Sequence, residues 1–289
     1  MKVIPFNVPK TTQEAFRLQV DVLPHLYDQL HRHAETQIMF IEKGEGTLIA
    51  GDYVGRFASG DIFLIGGGQS HVFRNDEKFY QMGGKKNVQA TSIYFDEKYA
   101  GESFWQLDEL REVKKFLARS GVGIRIEGET KKQVTYLLNE LKSAKRINKL
   151  ILFLQLLNAL AYSRQSIPLS VAPLPTHTEI TEDKRMNDVL HFTFKHSHRK
   201  IKIDEVASIA HLSPEAFCRY FKLRTRKTYT SFLNEVRISF ACKLLIEGDQ
   251  SIQSICYDAG FQNLSHFNRT FKKVTGKTPR GYLTRSGTF

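Results

Sequence analysis

The sequence predicts a multidomain protein of the mixed α+β class, with a β-rich N-terminal domain and an all-helical C-terminal domain. Short apolar runs between glycine-bearing turns fill residues 36–95, helical patterns fill residues from 108 onward, and a proline-rich stretch interrupts them near residue 170. Short strands at this spacing are typical of a small antiparallel barrel or sandwich. A chain of 289 residues is long enough for two such domains.

Each predicted element follows from a local pattern. The runs that predict strands are TQIMFIEK, GTLIA, YVGRFA, DIFLI and SHVFRN. From residue 108 the apolar residues recur every three or four positions, which predicts helices over 108–120, 128–146 and 147–163. The helices from 108 to 163 predict a dimerisation element, because the last of them has a broad apolar face, although core packing is an equally good account of that face. That face comprises Leu150, Ile151, Phe153, Leu154, Leu157, Leu160 and Ala161.

The division between the domains is predicted from prolines. The segment SIPLSVAPLPT, residues 166–176, holds three of them, and each removes a backbone donor and disfavours helix in the residue before it. We therefore predict an N-terminal domain over residues 1–165, an extended linker over 166–180 and a C-terminal domain over 181–289.

Composition narrows the class of partner. The formal net charge is +12, and residues 177–289 hold 19 Lys and Arg against 11 Asp and Glu. A basic protein attracts nucleic acid or anionic lipid, although many basic proteins bind neither. Three cysteines without a CxxC pair argue against disulfides and thiolate zinc, which fits a reducing cytoplasm. We expect a cytoplasmic protein with no membrane partner, because no apolar run is long enough to span a bilayer and the N-terminus lacks the apolar segment of a secretory signal.

An internal repeat occupies the last ninety or so residues. The segment FCRYFK at 217–222 matches FNRTFK at 267–272, and Lys227-Thr228 matches Lys277-Thr278 at the same offset of fifty. Upstream the offset becomes forty-nine, pairing Ile203, Val206, Ala210 and Leu212 with Ile252, Ile255, Ala259 and Phe261. Two helix-turn-helix units, with recognition helices over 213–224 and 263–274 and a spacer helix over 230–247, explain this pattern.

Each predicted recognition helix has one apolar and one polar face. A single Phe-x-x-x-Phe stripe is typical of any helical core, but two copies in register favour a pair of helices that enter successive major grooves of DNA. The polar faces carry Glu215, Cys218, Arg219 and Lys222 in the first unit and Leu264, Ser265, His266, Asn268, Arg269 and Lys272 in the second. Plausible phosphate contacts flank them at Arg224, Arg226, Lys227, Lys272, Lys273 and Lys277.

These residues resemble those of a known family. The pattern Arg237-x3-Ala241-x2-Leu244-Leu245, Ile252-x2-Ile255, Gly260-Phe261, Ser265-x-Phe267-x-Arg269-x-Phe271-Lys272-Lys273, Gly276-x-Thr278-Pro279 and Tyr282 is similar to that of the AraC/XylS family of bacterial regulators. The resemblance places that family's DNA-reading positions on Glu215, Cys218, Arg219, Leu264, Ser265, His266, Asn268 and Arg269. Arg226 departs from the family's usual helix-ending glycine, which puts a clean end to the first recognition helix in doubt.

The N-terminal domain contains a pattern of histidines. The sequence reads His31-x-His33-x3-Gln37 and then Gly60-x5-Gly66-x-Gly68-x2-His71-x3-Asn75. These segments resemble the two motifs of the cupin barrel, which precedes the DNA-binding region in many AraC-type regulators. The resemblance implies an effector pocket that includes His31, His33, Gln37 and His71, able to hydrogen-bond a polar or carboxylate-bearing small molecule. Gln37 occupies the position of the cupin metal carboxylate, with Glu35 two residues away, so we assign no metal and no cofactor.

Together these patterns predict a DNA-binding transcriptional regulator that responds to a small molecule. Its expected partners are double-stranded DNA, an effector of unknown identity, a second copy of the chain and, in an activator, RNA polymerase. We do not expect an enzyme. Two alternatives remain open at this point: a metal-dependent cupin enzyme fused to a DNA-binding domain, and a constitutive DNA-binding protein whose barrel only dimerises.

Overall fold

The computed structural model describes residues 14–81, 87–96, 100–170 and 180–283. The chain divides into two compact units. Residues up to Thr178, without Val54–Arg56, form the first unit, and Glu179–Phe289 with those three residues form the second. The mixed α+β class predicted from the sequence is confirmed, because the first unit combines sheets with helices and the second is helical.

The described strands of the first unit form two antiparallel sheets. The larger has the order β1-β7-β2-β5-β8-β9 and the smaller the order β4-β3-β6. An isolated antiparallel bridge pairs His31 with His71, the first residue of β6. The strands are β1 Arg17–Leu23, β2 Thr36–Lys43, β3 Gly46–Ala50, β4 Tyr53–Phe57, β5 Ile62–Ile65, β6 His71–Asn75, β7 Val88–Phe95, β8 Ile124–Ile126 and β9 Ser166–Pro168.

Alternation along the central strands produces two apolar layers. In β5, Ile62 and Leu64 pack into a cluster that includes the helices of this unit, while Phe63 and Ile65 pack into a second cluster with the smaller sheet. All four side chains are fully buried. A strand buried on both faces reads as a continuous apolar run, which is why DIFLI shows no polar alternation in the sequence.

The helices of the first unit cover one face of the larger sheet. They are α1 Glu102–Trp105, α2 Arg111–Arg119, α3 Gly128–Ser143 and α4 Arg146–Ala161. On α4, Phe153, Leu156, Leu157 and Leu160 are completely buried in the shared core. The three- and four-residue spacing noted in the sequence therefore marks the face that packs on the sheet.

From Ile180 onward, the regular elements of the described residues are all helices. These helices are α5 Ile180–His196, α6 Ile203–Ile209, α7 Pro214–Thr225, α8 Tyr229–Glu247, α9 Ile252–Asp258, α10 Leu264–Thr275 and α11 Pro279–Leu283. The predicted recognition helices 213–224 and 263–274 correspond to α7 and α10, and the predicted spacer is α8. None of the helices in the described ranges is both long and apolar enough to cross a bilayer.

Four strands match none of the five runs that predicted strands. They are β1, β7, β8 and β9, and β9 lies inside the segment predicted as linker. β9 pairs antiparallel with β8, with Ile124 opposite Pro168. Pro168 occupies the outermost strand of the sheet, where a missing backbone donor costs no ladder bond. Residues 166–168 therefore belong to the sheet, while residues 171–179 of the predicted linker lie outside the described residues.

Candidate functional site

The recognition helices α7 and α10 begin at side-chain caps. The Ser213 hydroxyl accepts a hydrogen bond from Ala216 N at 3.3 Å, and Pro214 occupies the first helical position. Asn263 Oδ1 accepts from His266 N at 2.9 Å in the second unit. A cap satisfies a backbone N–H that the helix itself leaves unpaired. Serine and asparagine are among the residue types preferred at this position.

The corner before each recognition helix has the same backbone path. His211 and Gly260 adopt the left-handed conformation, with φ of 54° and 87°. The next residue then donates back across the corner, Leu212 N to Ala207 O at 2.9 Å and Phe261 N to Cys256 O at 3.0 Å. These paired bonds end α6 and α9 and turn the chain into α7 and α10.

Both recognition helices also end alike. Arg226 and Gly276 are the left-handed C-caps, with φ of 55° and 74°. The N–H of each donates at 2.9 Å to the carbonyl of Lys222 or Lys272. The expectation that Arg226 would blur the end of the first recognition helix is therefore wrong: α7 stops cleanly at Thr225, with a non-glycine residue in the left-handed conformation.

Aromatic side chains hold each recognition helix against its unit. Phe217 and Phe221 are fully buried and lie 5.7 Å apart between ring centroids, as do Phe267 and Phe271 at 5.6 Å. Each pair meets a further ring from the following helix: Phe221 lies 5.3 Å from Phe232 and Phe271 lies 5.6 Å from Tyr282. This packing fixes which face of α7 and α10 turns outward.

All ten residues predicted to contact DNA are exposed. On α7 they are Glu215, Cys218, Arg219 and Lys222, and on α10 they are Leu264, Ser265, His266, Asn268, Arg269 and Lys272. Cys218 is the exposed thiol of the chain, since Cys242 and Cys256 are buried. The outward faces of the two helices present hydrogen-bonding side chains, two arginines and the apolar side chain of Leu264.

The flanking basic residues do not all have the same environment. Lys227 Nζ lies 2.6 Å from Glu235 Oε2, and both side chains are less than a fifth exposed. Lys227 is therefore the least suited of the six predicted phosphate contacts, because its charge is already compensated. The Arg224 guanidinium stacks 4.1 Å from the Tyr220 ring centroid.

Arg237 of α8 ties the second corner to the end of α5, a role that the sequence motif alone did not reveal. Its Nε donates to Ser197 O and its terminal nitrogen to Arg199 O, both at 2.8 Å. The guanidinium lies 5.7 Å from the Phe261 ring centroid. Burial lowers the pKa of Arg237 from its ordinary value. This side chain therefore links the second helix-turn-helix corner to the residues that follow α5.

A second polar site lies among the strands of the first unit. His31, His33 and His71 place one ligand-type nitrogen each within 4.8 Å of one another. The Nδ1 atoms lie 2.9, 2.8 and 2.8 Å from the carbonyl oxygens of Gln29, Glu35 and Gln69. Burial lowers the pKa of His31 to about 4 and lowers the pKa of His33 and His71, that of His71 strongly. These rings are accordingly neutral at physiological pH.

Gln37 lies beside the histidines, as predicted. Its Oε1 is 3.1 Å from His71 Nε2 and 3.4 Å from His33 Nε2. Its amide nitrogen donates to Ser92 Oγ at 3.1 Å and to the Tyr94 hydroxyl at 3.0 Å. Sequence reasoning missed Ser92 and Tyr94, because they lie on β7 more than fifty residues away and only the pairing of Gln37 with Tyr94 across β2 and β7 brings them close.

Glu35 does not line the centre of this site. Its Oε2 lies 3.8 Å from His33 Nδ1, the ring nitrogen that faces away from Gln37. Glu35 is buried, 3% exposed. Glu35 therefore does not replace the carboxylate that stands at the position of Gln37 in the cupin motif. His31, His33, His71 and Gln37 are called the histidine cluster from here on. The imidazoles and the amide of this cluster are neutral groups that can donate electron pairs.

The C-terminal domain matches known proteins. A helix-turn-helix domain model matches residues 206–285, from within α6 through α11. An HTH-type transcriptional activator named RhaS of Klebsiella pneumoniae is 26% identical over 263 residues, which cover 86% of this chain and 85% of that protein. The chain is thus similar to regulators of the helix-turn-helix type. The sequence resemblance noted for its C-terminal domain is thereby confirmed.

Other relatives match a shorter part of the chain. An HTH-type regulator named YobQ of Bacillus subtilis is 31% identical over 105 residues, which is 36% of this chain and 44% of that protein. The chain thus spans less than half the length of the first curated relatives it matches. Among solved structures, ToxT of Vibrio cholerae covers 95% of this chain and 99% of its own, at 15% identity and a TM-score of 0.39. At this TM-score the two structures overlap only loosely.

Proposed function

We propose that the protein is a sequence-specific DNA-binding transcriptional regulator in which α7 and α10 read successive major grooves. The supporting observation is that two equivalent helices, each capped, packed and terminated alike, turn exposed polar faces outward within one compact unit. A helix of this kind fits the major groove with its N-terminal residues on base edges. Recognition helices about 34 Å apart would face the same side of the duplex.

Each outward residue has a chemistry suited to this role. Arg219 and Arg269 can donate to guanine, Asn268 suits adenine, and Glu215 can accept from the cytosine amino group. Leu264 offers apolar contact to a thymine methyl group, while Ser265 and His266 lie in the first turn of α10. Lys222 and Lys272 suit phosphates at the groove edge, and Cys218 completes the α7 face.

The DNA-reading role is tested by Arg269→Ala. We expect specific affinity to fall by about 1–3 kcal/mol while the unfolding transition is unchanged, because the side chain is exposed. Affinity is measured by fluorescence anisotropy on an operator selected from random duplex DNA. Arg164→Ala, an exposed arginine of the first unit, is the matched control and should bind normally. Equal affinity of Arg269→Ala and the parent chain would refute the groove assignment.

The first unit completes the proposal as a cupin-like barrel that receives a small-molecule effector at the histidine cluster. The effector would act by binding one arrangement of the two units better than another, which changes DNA affinity or polymerase contact. Regulation as an activator in the cytoplasm, with RNA polymerase as partner, is part of the same proposal. It is supported by the name of the RhaS relative that matches along most of the chain, a transcriptional activator. We do not propose an enzyme function.

We propose further that α4 forms a homodimer contact. Its buried residues face the sheet, whereas Ile147 and Ile151, one turn apart, are 64% and 46% exposed. These two side chains differ from Leu150 and Leu154, which are partly covered. An exposed isoleucine pair on an amphipathic helix suits packing against a second copy of the same helix.

A further inference from the structure

The segment that leads out of the first unit is fastened to the larger sheet at both of its ends. Glu127 N donates to Gln165 O at 2.9 Å where the segment begins. Leu169 N donates to Gly123 O at 2.9 Å where it ends, and β9 pairs with β8 between these two bonds. Residues 165–170, called the strap from here on, are therefore fixed to the sheet upstream of α5.

Ser170 connects the strap to the smaller sheet as well. Its N–H donates to Val122 O at 3.0 Å, and its hydroxyl donates at 3.2 Å to the carbonyl oxygen of Ala50, the last residue of β3. Ser170 is buried, at 6% exposed. In the ladder of β3 and β6, Ala50 is paired with His71. The Ser170 hydroxyl therefore joins the strap to the strand position opposite a residue of the histidine cluster.

A second connection runs through Gln69. Its carbonyl oxygen lies 2.8 Å from His71 Nδ1. Its side-chain amide lies against Gly123, where an added Cβ atom would be 3.1 Å from Gln69 Oε1. The same Cβ atom would be 3.0 Å from Leu169 Cδ1 in the strap. His71 and the strap are thus joined twice, once through Ala50 and once through Gly123.

The strap is held less firmly than the centre of the larger sheet. β9 has only three residues and is the outermost strand, Pro168 has no backbone donor, and Ile167 is 52% exposed. By contrast, every side chain of β5 in the same sheet is fully buried. Segments with few buried contacts open locally, at a lower free energy than the unfolding of the core. Opening of the strap would therefore leave the core of the first unit in place.

We propose that the strap is a switch with a fastened and a released state, and that the histidine cluster sets the balance between the two states. An effector at the cluster displaces His71, strains the contacts through Ala50 and Gly123, and so favours release of the strap. Release frees six residues and lengthens the connection to the DNA-binding unit by up to roughly 20 Å. This regulation rests on the proposed function, because it is the route by which an effector changes DNA binding.

The first test needs no effector, because coupling between two places in a protein is reciprocal. Gly123→Ala should displace Leu169 and Gln69, since the added Cβ meets both. Gly101→Ala is the matched control: its φ of 81° resembles the 69° of Gly123, but no atom of the described residues lies within 4 Å of its added Cβ. In the full chain we expect the Leu169 amide to exchange about tenfold faster in Gly123→Ala and at the parent rate in Gly101→Ala.

A second pair of variants keeps the test valid if Gly123→Ala does not fold. Ser170→Ala removes the hydrogen bond to Ala50 and should accelerate exchange of the Leu169 amide by about fivefold. Ser166→Ala should have no effect, because Ser166 lies at the other end of the strap, opposite Ile126. If the Leu169 amide exchanges only as slowly as the amides of β5 in every variant, the released state does not exist and the proposal is wrong.

The histidine cluster is observed in the same samples. The ring signals of His71 in nitrogen–proton NMR spectra should shift in Gly123→Ala and Ser170→Ala, but not in Gly101→Ala or Ser166→Ala. Faster exchange in the strap without any change at His71 would overturn the coupling between the strap and the cluster.

The length of the connection is measured with spin labels on Cys218 and on a cysteine introduced by Lys132→Cys, both at exposed positions. The distribution of distances between the labels should be broader in Ser170→Ala than in Ser166→Ala. Equally broad distributions would overturn the lengthened connection.

Operator affinity separates this inference from the proposed function. The exchange, NMR and spin-label results do not depend on DNA. A parent chain that binds no operator, in variants that show all three changes, would overturn the proposed function and support the switch. Operator binding by a chain in which neither the strap nor His71 responds would overturn the switch alone.

Discussion

Left-handed backbone positions mark where individual residues matter most in the DNA-binding unit. Four of them recur in pairs: His211 with Gly260 at the corners, and Arg226 with Gly276 at the ends of α7 and α10. A residue with a Cβ atom costs about 1 kcal/mol in this conformation. The first copy therefore carries a strain at His211 and Arg226 that the second copy avoids.

Two glycine substitutions distinguish strain from collision. Gly276→Ala should destabilise the unit by about 1 kcal/mol, because no atom lies within 4 Å of the added Cβ and only the left-handed strain remains. Gly260→Ala should cost about 2–4 kcal/mol, since its Cβ would lie 2.3 Å from Ser197 O and 3.0 Å from Arg237 Nε. Urea unfolding followed by circular dichroism measures both. Equal losses would show that the corner has room to relax.

At the scale of elements, the recognition helices were the most predictable part of the fold. Their beginnings follow from Ser213-Pro214 and Asn263, which act through bonds to residues three positions away, and such short-range signals are visible in a sequence. Gln37 is the opposite case. Its contribution to the histidine cluster depends on Ser92 and Tyr94, which only the pairing of β2 with β7 brings near. No local sequence pattern predicts the orientation of the Gln37 side-chain amide.

β8 and β9 likewise cannot be predicted from local sequence patterns. β8 is only three residues long, and it lies in a stretch of otherwise helical texture. β9 contains a proline, which the sequence analysis took as a sign of linker. Both strands exist because the edge of the larger sheet at β5 offers hydrogen-bonding groups that pair with β8. Tertiary pairing therefore overrides local preference at this edge.

The cap of α10 provides a prediction for one element. Asn263→Ala should cost about 1 kcal/mol of stability, because His266 N loses its acceptor, and should weaken operator binding through fraying of the first turn that carries Leu264, Ser265 and His266. Amide hydrogen exchange of that turn and operator affinity measure the two effects. Gln262→Ala, at the exposed neighbouring position, is the control. If the amide of His266 stays protected in Asn263→Ala, the cap has no such role.

At the scale of the whole molecule, the proposed dimer has a direct test. The double variant Ile147→Glu, Ile151→Glu should shift sedimentation from dimer to monomer, because charges would enter the apolar contact. Its unfolding temperature at low concentration should be unchanged, since both side chains are exposed within one chain. Lys145→Glu with Asn148→Glu, exposed positions of the same helix region, controls for added charge. A variant that remains dimeric would place the interface elsewhere.

The exposed thiol of Cys218 makes it possible to measure whether α7 enters the major groove of DNA. Burial raises the pKa of Cys242 to about 11 and raises that of Cys256, which protects both from alkylation, while Cys218 is exposed on the outward face of α7. A maleimide dye should therefore label a single position without any substitution. Operator DNA should slow that labelling at least tenfold, and dye already attached should block the half-site read by α7. Labelling at an equal rate with and without operator would show that α7 stays outside the groove.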